Sequence, residues 1–150
     1  MATDLYKSLK PLFRPKSIAI LGASEQSGRI GGRPVQLLKD FGFKGNIYPV
    51  NPNRETVQGL QAYPSIDAIK GGVDQAIMAV PAKIALDVAE QCAAKGVKSI
   101  VAFTSGFAEM SSEGDAAQQR LSEIAKESGM RILGPNCLGI FSGPDCAWST

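Results

Sequence analysis

The stretch ILGASEQSGRIGG, residues 20–32, contains the end of a short, continuously apolar run that begins at Ser17, and the loop that follows it. A β-branched apolar run of this length is typical of a strand buried on both faces of a sheet. The ten residues from Gly22 to Gly31 contain three glycines and two serines, a composition that predicts a loop. Apolar residues then recur at helical spacing over 34–41. The stretch therefore predicts a strand, a glycine-rich loop and a helix in succession.

The same alternation of short apolar runs and amphipathic segments continues along the chain. Strands of about five residues that alternate with helices of about a dozen imply right-handed crossovers and a parallel sheet. We therefore predict an α/β fold, a doubly wound, Rossmann-like parallel sheet of at least five strands with helices on both faces. The predicted strands lie at 17–23, 46–52, 75–81, 98–107 (ending in a turn) and 130–134, and the predicted helices at 34–41, 83–95 and 115–128, with a helical turn at 65–69 that Ser65 caps.

The periodic pattern divides the chain into three parts. Residues 1–15 are predicted to be a lead-in segment, residues 16–141 the Rossmann-like domain, and residues 142–150 the start of a linker or a further domain. Because the periodicity simply stops in the last part, we expect the chain to be a fragment of a larger protein. Hydrophobic surface left bare by missing domains would favour association into a homo-oligomer.

Composition excludes several functional classes. The net charge is only +2, lysine and arginine form no run, and aromatic residues are not interleaved with basic ones, so a nucleic-acid partner is not expected. No stretch approaches the ~20 apolar residues of a membrane span. The N-terminus lacks the hydrophobic region of a signal peptide, and we expect a cytoplasmic protein without a membrane partner.

The absence of histidine is the most restrictive fact of the composition. It excludes a Ser-His-Asp triad, a Cys-His pair, a histidine metal site and a phosphohistidine within these residues, so we predict neither a catalytic nor a metal-binding residue. Cys92, Cys137 and Cys146 are odd in number and lack CxxC spacing, which indicates reduced thiols rather than a disulfide framework.

The glycine-rich loop has the composition of a phosphate-binding loop. Gly22 permits a tight turn after the first strand, while Gly28 and Gly31 allow a ligand to approach the main chain. Free N–H groups and the dipole at a helix N-terminus favour a phosphate there. The alternative is a strand-to-helix turn without a ligand. The side chains that add hydrogen bonds or charge to the loop are Ser24, Ser27 and Arg29.

The spacing of the loop and the end of the second strand narrow the choice of nucleotide. The spacing is not G-x-G-x-x-G, because Ala23 and Ser24 follow Gly22, and the second strand is followed by Asn-Pro-Asn-Arg without the acid that binds the ribose of NAD. A cation in that position favours an adenosine with a phosphate on its ribose, which is NADP or coenzyme A (CoA). Arg54 is predicted to bind this phosphate, unless it is an ordinary solvated arginine.

Three more turns follow predicted strands: VPAK (80–83), TSGF (104–107) and GPNCLG (134–139). Each is either part of the ligand groove or an ordinary turn, since Pro, Gly and Asn occur in turns for conformational reasons alone. Without a histidine, Cys137 is interpreted as a packed thiol rather than a nucleophile. Glu109 and Glu113 are acid–base candidates, but a solvated loop and a helix start fit them better.

The segments RPKSIAILGAS, IYPVNPN, VPA, SGF and GPNCLGI, in this order, resemble the N-terminal CoA-binding domain of the NDP-forming acyl-CoA synthetases. This superfamily includes ADP-forming acetate–CoA ligase, the alpha subunit of succinyl-CoA synthetase, and bacterial protein lysine acetyltransferases that carry a degenerate ligase part. The resemblance extends from about Leu12 to Phe141. One departure is GGRPVQ after the loop, where relatives often have an asparagine, which leaves the contacts of Arg33 and Pro34 open.

The resemblance implies a role for each segment. The loop residues would bind the CoA phosphates, the end of the second strand the adenosine and its 3′-phosphate, and the VPA segment the nucleotide and pantetheine arm. The last two turns would face the thiol. In this order, the cofactor-binding residues implied are Gly22, Ala23, Ser24, Ser27, Gly28, Arg29 and Gly31; Asn51, Pro52 and Arg54; Val80, Pro81 and Ala82; and Ser105, Gly106, Phe107, Asn136 and Cys137.

The resemblance also implies what this chain lacks. Such enzymes make an acyl-CoA thioester from a small carboxylic acid through an acyl phosphate and a phosphohistidine, with ATP or ADP and Mg²⁺ bound in an ATP-grasp domain or subunit. Neither the histidine nor that domain is within these residues, so the chain alone is expected to bind CoA without turnover. The alternatives are the CoA-binding part of a lysine acetyltransferase, a stand-alone CoA-binding regulatory module, and an NADP-dependent oxidoreductase domain.

Overall fold

The computed structural model describes residues 2–144 and 147–148 and contains a five-stranded parallel sheet. Its strands are β1 (Ser17–Leu21), β2 (Asn46–Val50), β5 (Gln75–Met78), β6 (Ser99–Ala102) and β7 (Arg131–Leu133). Two short antiparallel hairpins, β3–β4 (Thr56–Val57 and Leu60–Gln61) and β8–β9 (Phe141–Ser142 and Ala147–Trp148), complete the set of strands. The helices are α1 (Ala2–Phe13), α2 (Arg33–Asp40), α3 (Ala82–Lys95) and α4 (Ser112–Ser128), with a 3₁₀ turn at Ile66–Ala68.

The strand order is β2-β1-β5-β6-β7. The chain runs from β1 to β2 on one side and then returns to place β5 on the other side of β1. Ile18 of β1 therefore pairs with Ile47 of β2 and with Gln75 of β5. This reversal of direction is the switch point at which doubly wound sheets form a crevice beyond the carboxyl ends of their strands.

Helices cover both faces of the sheet, which confirms the predicted fold class. The three inner strands are buried along their whole length, as their apolar sequences indicate. On one face the sheet packs against α3 and α4 through side chains such as Cys92 and Leu121. On the other face it packs against α1, α2 and the hairpins through Leu12, Leu38 and Val57. The part of the chain described contains no helix that is long and apolar enough to cross a membrane.

The predicted elements are confirmed, with differences at their ends. The strands are shorter than the apolar runs that predicted them, because the last residues of each run leave the sheet and belong to the loops at its carboxyl edge. Helix α4 begins at Ser112 rather than at 115, since the side chain of Ser111 accepts a hydrogen bond from the Gly114 N–H. Ser65 is the N-cap residue of the 3₁₀ turn, as predicted, although its side chain makes no capping hydrogen bond.

Helix α1 and the two hairpins were not predicted. Helix α1 contains Pro11 in its last turn, which obscured the pattern, and it is fixed to the sheet by the buried Gln75, whose Nε2 donates to the carbonyl of Leu12 at 2.8 Å. The hairpin strands are too short to show an alternating pattern. Cys92 and Cys137 are free thiols, whereas Cys146 lies outside the described residues.

Candidate functional site

A cleft lies at the carboxyl ends of β1, β2 and β5, at the switch point of the sheet. Its volume is about 410 Å³. Three segments that are far apart in the chain form its walls: the loop after β1, the turn after β2 and the end of β5. The lining residues are Gly22, Ala23, Ser24, Glu25, Gln26, Arg29, Ile30, Gly31, Asn51, Arg54 and Ala79.

The loop leaves β1 through Gly22. This residue has a φ of +84°, a conformation that L side chains rarely adopt, and a Cβ atom here would collide with the main-chain carbonyl of Ala79, just after the neighbouring strand β5. The N–H groups of Gly22 and Ala23 both donate to the carbonyl of Val50, each at 3.1 Å. The start of the loop is therefore held against the ends of β2 and β5.

The loop closes on itself before α2 begins. A Cβ atom on Gly31 would collide with the carbonyl of Gly22, and one on Gly32 with the carbonyl of Gln26. Gly31 is thus required for packing within the loop, in addition to any approach of a ligand. Gly28 differs, because its Cβ position faces open space and the residue is exposed. Its main chain is accessible from outside.

Two guanidinium groups line the cleft, one from each side. Arg29 is exposed, and its Nε donates to Oε1 of Gln26 at 2.7 Å, which orients the group within the loop. Arg54 lies in the turn after β2, and its side chain is also exposed. Two cations at one cleft attract a ligand with several negative charges.

Asn51 connects the two walls of the cleft. Its Nδ2 donates to the carbonyl of Ala23 at 2.8 Å, and its Oδ1 accepts a hydrogen bond from the Asn53 N–H at 2.8 Å. The side chain therefore fixes the turn that carries Arg54 against the glycine-rich loop. Pro52 is exposed in the same turn.

The segments after β5 and β6 lie side by side at the same edge of the sheet. The Thr104 hydroxyl donates to the carbonyl of Val80 at 2.8 Å, and a Cβ atom on Gly106 would lie 3.0 Å from that of Ala82. Pro81 precedes α3 as its N-cap residue and is exposed, as is Ser105. The two predicted segments thus form one continuous rim.

Phe107 differs from its neighbours in this rim. Its side chain is only 1% exposed and belongs to the core beneath α4, so only its main chain is available to a ligand. The N–H groups of Gly106 and Phe107 donate to the carboxylate of Glu109, at 2.6 and 3.2 Å. The hydrogen bond from Gly106 is the main reason that the pKa of the Glu109 carboxyl lies below its ordinary value.

A second cleft, of about 210 Å³, adjoins the first and shares Arg29 and Ile30 with it. Cys137 lines this cleft, and its N–H and Sγ both donate to the carbonyl of Ala102 at 3.3 Å. Asn136 has a φ of +51°, and its N–H donates to the carbonyl of Thr104 at 2.9 Å. The turn after β7 is therefore bound to the end of β6. The other lining residues are Gly28, Arg33, Phe103 and Leu138.

The structure brings half of the predicted residues to these clefts. The first cleft contains the predicted residues Gly22, Ala23, Ser24, Arg29, Gly31, Asn51 and Arg54, and the second contains Gly28, Arg29 and Cys137. The predicted residues that the linings of these two clefts do not include are Ser27, Pro52, Val80, Pro81, Ala82, Ser105, Gly106, Phe107 and Asn136.

Four residues of the first cleft were missed: Glu25, Gln26, Ile30 and Ala79. The first three lie inside the predicted loop and were passed over because their side chains are not typical of a phosphate loop. Ala79 follows β5, and its position became evident only from the pairing of β5 with β1. Among residues 2–144 and 147–148, no three His, Cys, Asp or Glu side chains form a group that could hold a metal ion.

This chain is similar to known proteins over most of its length. A family model described as a CoA binding domain matches residues 16–142. The ADP-forming acetate–CoA ligase II of Archaeoglobus fulgidus is 48% identical over 134 residues, which are 89% of this chain and 20% of that protein. The alpha subunit of ADP-forming acetate–CoA ligase I from Pyrococcus furiosus is 42% identical over 141 residues, which are 91% of this chain and 30% of the subunit.

A solved structure shows the same fold. The dinucleotide-forming acetyl-coenzyme A synthetase 1 of Ca. Korarchaeum cryptofilum, in complex with phosphate and ADP, superposes with a TM-score of 0.87 at 38% identity. The match covers 92% of this chain and 29% of that one. This chain therefore spans between a fifth and about a third of the length of the relatives described.

Proposed function

The chain belongs to the CoA-binding domain family, and from this membership we propose that the cleft at the switch point of its sheet binds coenzyme A. The observation that carries the proposal is the combination of a glycine-rich loop with two guanidinium groups in one cleft. CoA has a pyrophosphate and a 3′-phosphate, so it needs cations at two separated places. Arg29 and Arg54 lie on different segments and meet that need.

The glycine-rich loop is proposed to bind the pyrophosphate. The exposed main chain at Gly28 allows a phosphate to approach closely, and Arg29 adds a positive charge. Gly22 and Gly31 contribute by allowing the loop its compact shape. The remaining residues assigned to this part of the ligand are Ala23, Ser24 and Ser27.

The turn after β2 is proposed to bind the adenosine and its 3′-phosphate. Arg54 would bind the phosphate, while Asn51 holds the turn in place through its hydrogen bond to Ala23. Pro52 would contact the adenosine. The cleft also contains the Glu25 carboxylate, but this group accepts a hydrogen bond from the Gln58 N–H at 2.8 Å.

The rim formed by the segments after β5 and β6, together with the turn after β7, is proposed to guide the pantetheine arm to the second cleft. Cys137, whose Sγ donates to a main-chain carbonyl, would be a neighbour of the CoA thiol rather than a nucleophile. Phe107 would contribute its main chain only. The other rim residues assigned to this arm are Val80, Pro81, Ala82, Ser105, Gly106 and Asn136.

The relatives suggest the reaction of a parent protein. We propose an ADP-forming ligase that makes an acyl-CoA thioester from a small carboxylic acid through an acyl phosphate and a phosphohistidine outside these residues. ATP or ADP and Mg²⁺ would bind in an ATP-grasp domain or subunit. A lysine acetyltransferase or a stand-alone CoA-binding module remains the alternative. The division into residues 1–15, 16–141 and 142–150 and self-association also remain predictions.

Calorimetric titration of the purified chain with CoA and NADP tests the proposed ligand. We expect CoA to bind more tightly than NADP. The pantetheine arm of CoA would contact the rim in addition to the loop, whereas NADP has no such arm. The acid substrate is not needed for this measurement. Tighter binding of NADP would contradict the proposal and would favour an oxidoreductase domain.

Replacing Arg54 by alanine tests the adenosine end of the ligand. We expect the variant to bind CoA about 10- to 100-fold more weakly, because a charge-assisted hydrogen bond to phosphate is lost. Binding of 3′-dephospho-CoA should change much less, since that ligand lacks the phosphate in question. Both dissociation constants are measured by calorimetry.

Lys98→Ala is the matched control for Arg54→Ala. Lys98 is exposed at the opposite edge of the sheet, just before β6, so this variant loses the same charge far from the cleft. It should bind both ligands as the unmodified chain does. If Arg54→Ala lost the same affinity for CoA as for dephospho-CoA, this result would contradict the proposed role of Arg54 at the 3′-phosphate.

A further inference from the structure

The turn of the β3–β4 hairpin has an unusual residue in it. Gln58 and Gly59 form the two-residue connection, with φ values of +49° and +80°. Two-residue hairpin turns of type I′ need positive φ at both positions, which glycine or asparagine normally supplies. A glutamine in this conformation is strained, so its presence calls for a compensating interaction.

The side chain of Gln58 supplies that interaction, and it does so at the glycine-rich loop. Its Nε2 donates to the carbonyl of Ser24 at 3.0 Å and to the carbonyl of Gly32 at 2.8 Å. One amide group thus joins the beginning of the loop to its end. Both of its N–H donors are used in these two bonds.

The main chain of Gln58 makes two more contacts with the same region. Its N–H donates to the Glu25 carboxylate at 2.8 Å, and its carbonyl accepts a hydrogen bond from Nζ of Lys39 on α2 at 2.5 Å. The hairpin therefore contacts the loop, the N-terminus of α2 and the last turn of that helix through one residue.

These contacts determine how the loop presents its main chain. The carbonyl of Ser24 points to Gln58, and in a trans peptide the N–H on the other side of the bond points the opposite way. The N–H of Glu25, which lines the cleft, is therefore directed away from the hairpin. Holding Ser24 and Gly32 together also sets the width of the loop.

We propose that Gln58 is a positioning residue for the pyrophosphate of CoA, which acts by fixing the glycine-rich loop in its ligand-binding shape. This inference rests on the proposed function of the cleft. Gln58 is not in the lining of that cleft, so it acts through Ser24, Glu25 and Gly32.

The hairpin has its own anchors in the core, which makes the proposal testable. Val57 is fully buried, Ala62 is buried just after β4, and the Ala62 N–H donates to the carbonyl of Glu55 at 2.8 Å. Removing the amide of Gln58 should therefore leave the hairpin attached and the fold intact. Loss of loop order is then separable from loss of stability.

Two variants test the proposal. Gln58→Gly removes the side chain and relieves the strain of the turn, while Gln58→Glu keeps the shape but replaces the donor NH₂ by an oxygen that faces two carbonyls. We expect Gln58→Gly to bind CoA about tenfold more weakly, because the two hydrogen bonds that order the loop are lost. Gln58→Glu should bind CoA more weakly still. The thermal midpoint of Gln58→Gly should not fall.

The design includes a second ligand and a control variant. The Gln58 variants should lose the same affinity for CoA as for 3′-dephospho-CoA, because the loop is proposed to contact the pyrophosphate that both ligands contain. Gln36→Glu, at an exposed position of α2, introduces the same charge and should bind CoA as the unmodified chain does.

Each outcome decides between the possibilities. If the unmodified chain fails to bind CoA, the proposed function fails and this inference fails with it. If the unmodified chain binds and both Gln58 variants bind equally well, only the inference is wrong. It is also wrong if Gln58→Gly unfolds, because Gln58 then has a purely structural role, or if only CoA binding and not dephospho-CoA binding is weakened.

Discussion

Gly22→Ala is expected to reduce the affinity for CoA by at least about 100-fold, the largest effect on binding that the structure predicts. Gly22 has a φ of +84°, and an added Cβ would meet the carbonyl of Ala79, which belongs to the main chain and cannot rotate away. The loop must therefore move away from β5 to accommodate the methyl group. That movement breaks the hydrogen bonds from Gly22 and Ala23 to Val50.

The measurement is a calorimetric titration with CoA, accompanied by a thermal melt. The variant should also be less stable, because left-handed conformations are unfavourable for alanine. Gly72→Ala is the control, since Gly72 is exposed before β5, its Cβ position is open and its φ lies outside the strained range. Unchanged CoA affinity in Gly22→Ala would show that the loop does not need this shape for binding.

Phe107→Ala is expected to lower the free energy of unfolding by about 3–5 kcal/mol, the largest expected effect on stability. The side chain is 1% exposed and packs in the core beneath α4. Truncation of this side chain leaves a cavity. Helix α4 cannot move closer to fill it, because the helix already touches the main chain of Phe107: a Cβ atom on Gly114 would collide with the Phe107 carbonyl. Chemical denaturation measures the difference.

A conservative variant and an exposed neighbour give the comparison for Phe107. Phe107→Leu keeps most of the volume and should cost far less than the alanine variant. Met110→Ala removes a side chain that is 73% exposed in the same segment and should change stability by less than about 0.5 kcal/mol. A Phe107→Ala variant as stable as the unmodified chain would contradict the assignment of this side chain to the core.

The main sheet was predictable because each strand lies in a short, largely apolar run that glycine or proline follows within a few residues. The strand order, however, depends on pairing between distant segments, and no local pattern contains it. The β3–β4 hairpin was missed for another reason, since Thr56 and Val57 form a strand of only two residues. Its contact with the glycine-rich loop, from Gln58 to the carbonyls of Ser24 and Gly32, joins segments that are distant in the sequence.

The residues of the candidate site were also only partly predictable from local sequence patterns. The loop after β1 was recognisable from its glycines, and Arg54 from the absence of an acid at the end of β2. In contrast, Phe107 was grouped with exposed neighbours because it follows Ser-Gly in the sequence, although its side chain points into the core. Sequence adjacency places the main chain, but the direction of a side chain depends on the helix that packs over it.

The order of the five strands has a consequence for the number of CoA molecules that one chain is expected to bind. In the sheet of the described residues the direction of winding reverses a single time, between β1 and β5, and Gly22 and Ala79 lie at that place. An open sheet forms its ligand-binding crevice at such a reversal, so one reversal predicts one ligand site. A calorimetric isotherm should accordingly saturate at one equivalent of CoA for each polypeptide, whatever the state of association of the chains.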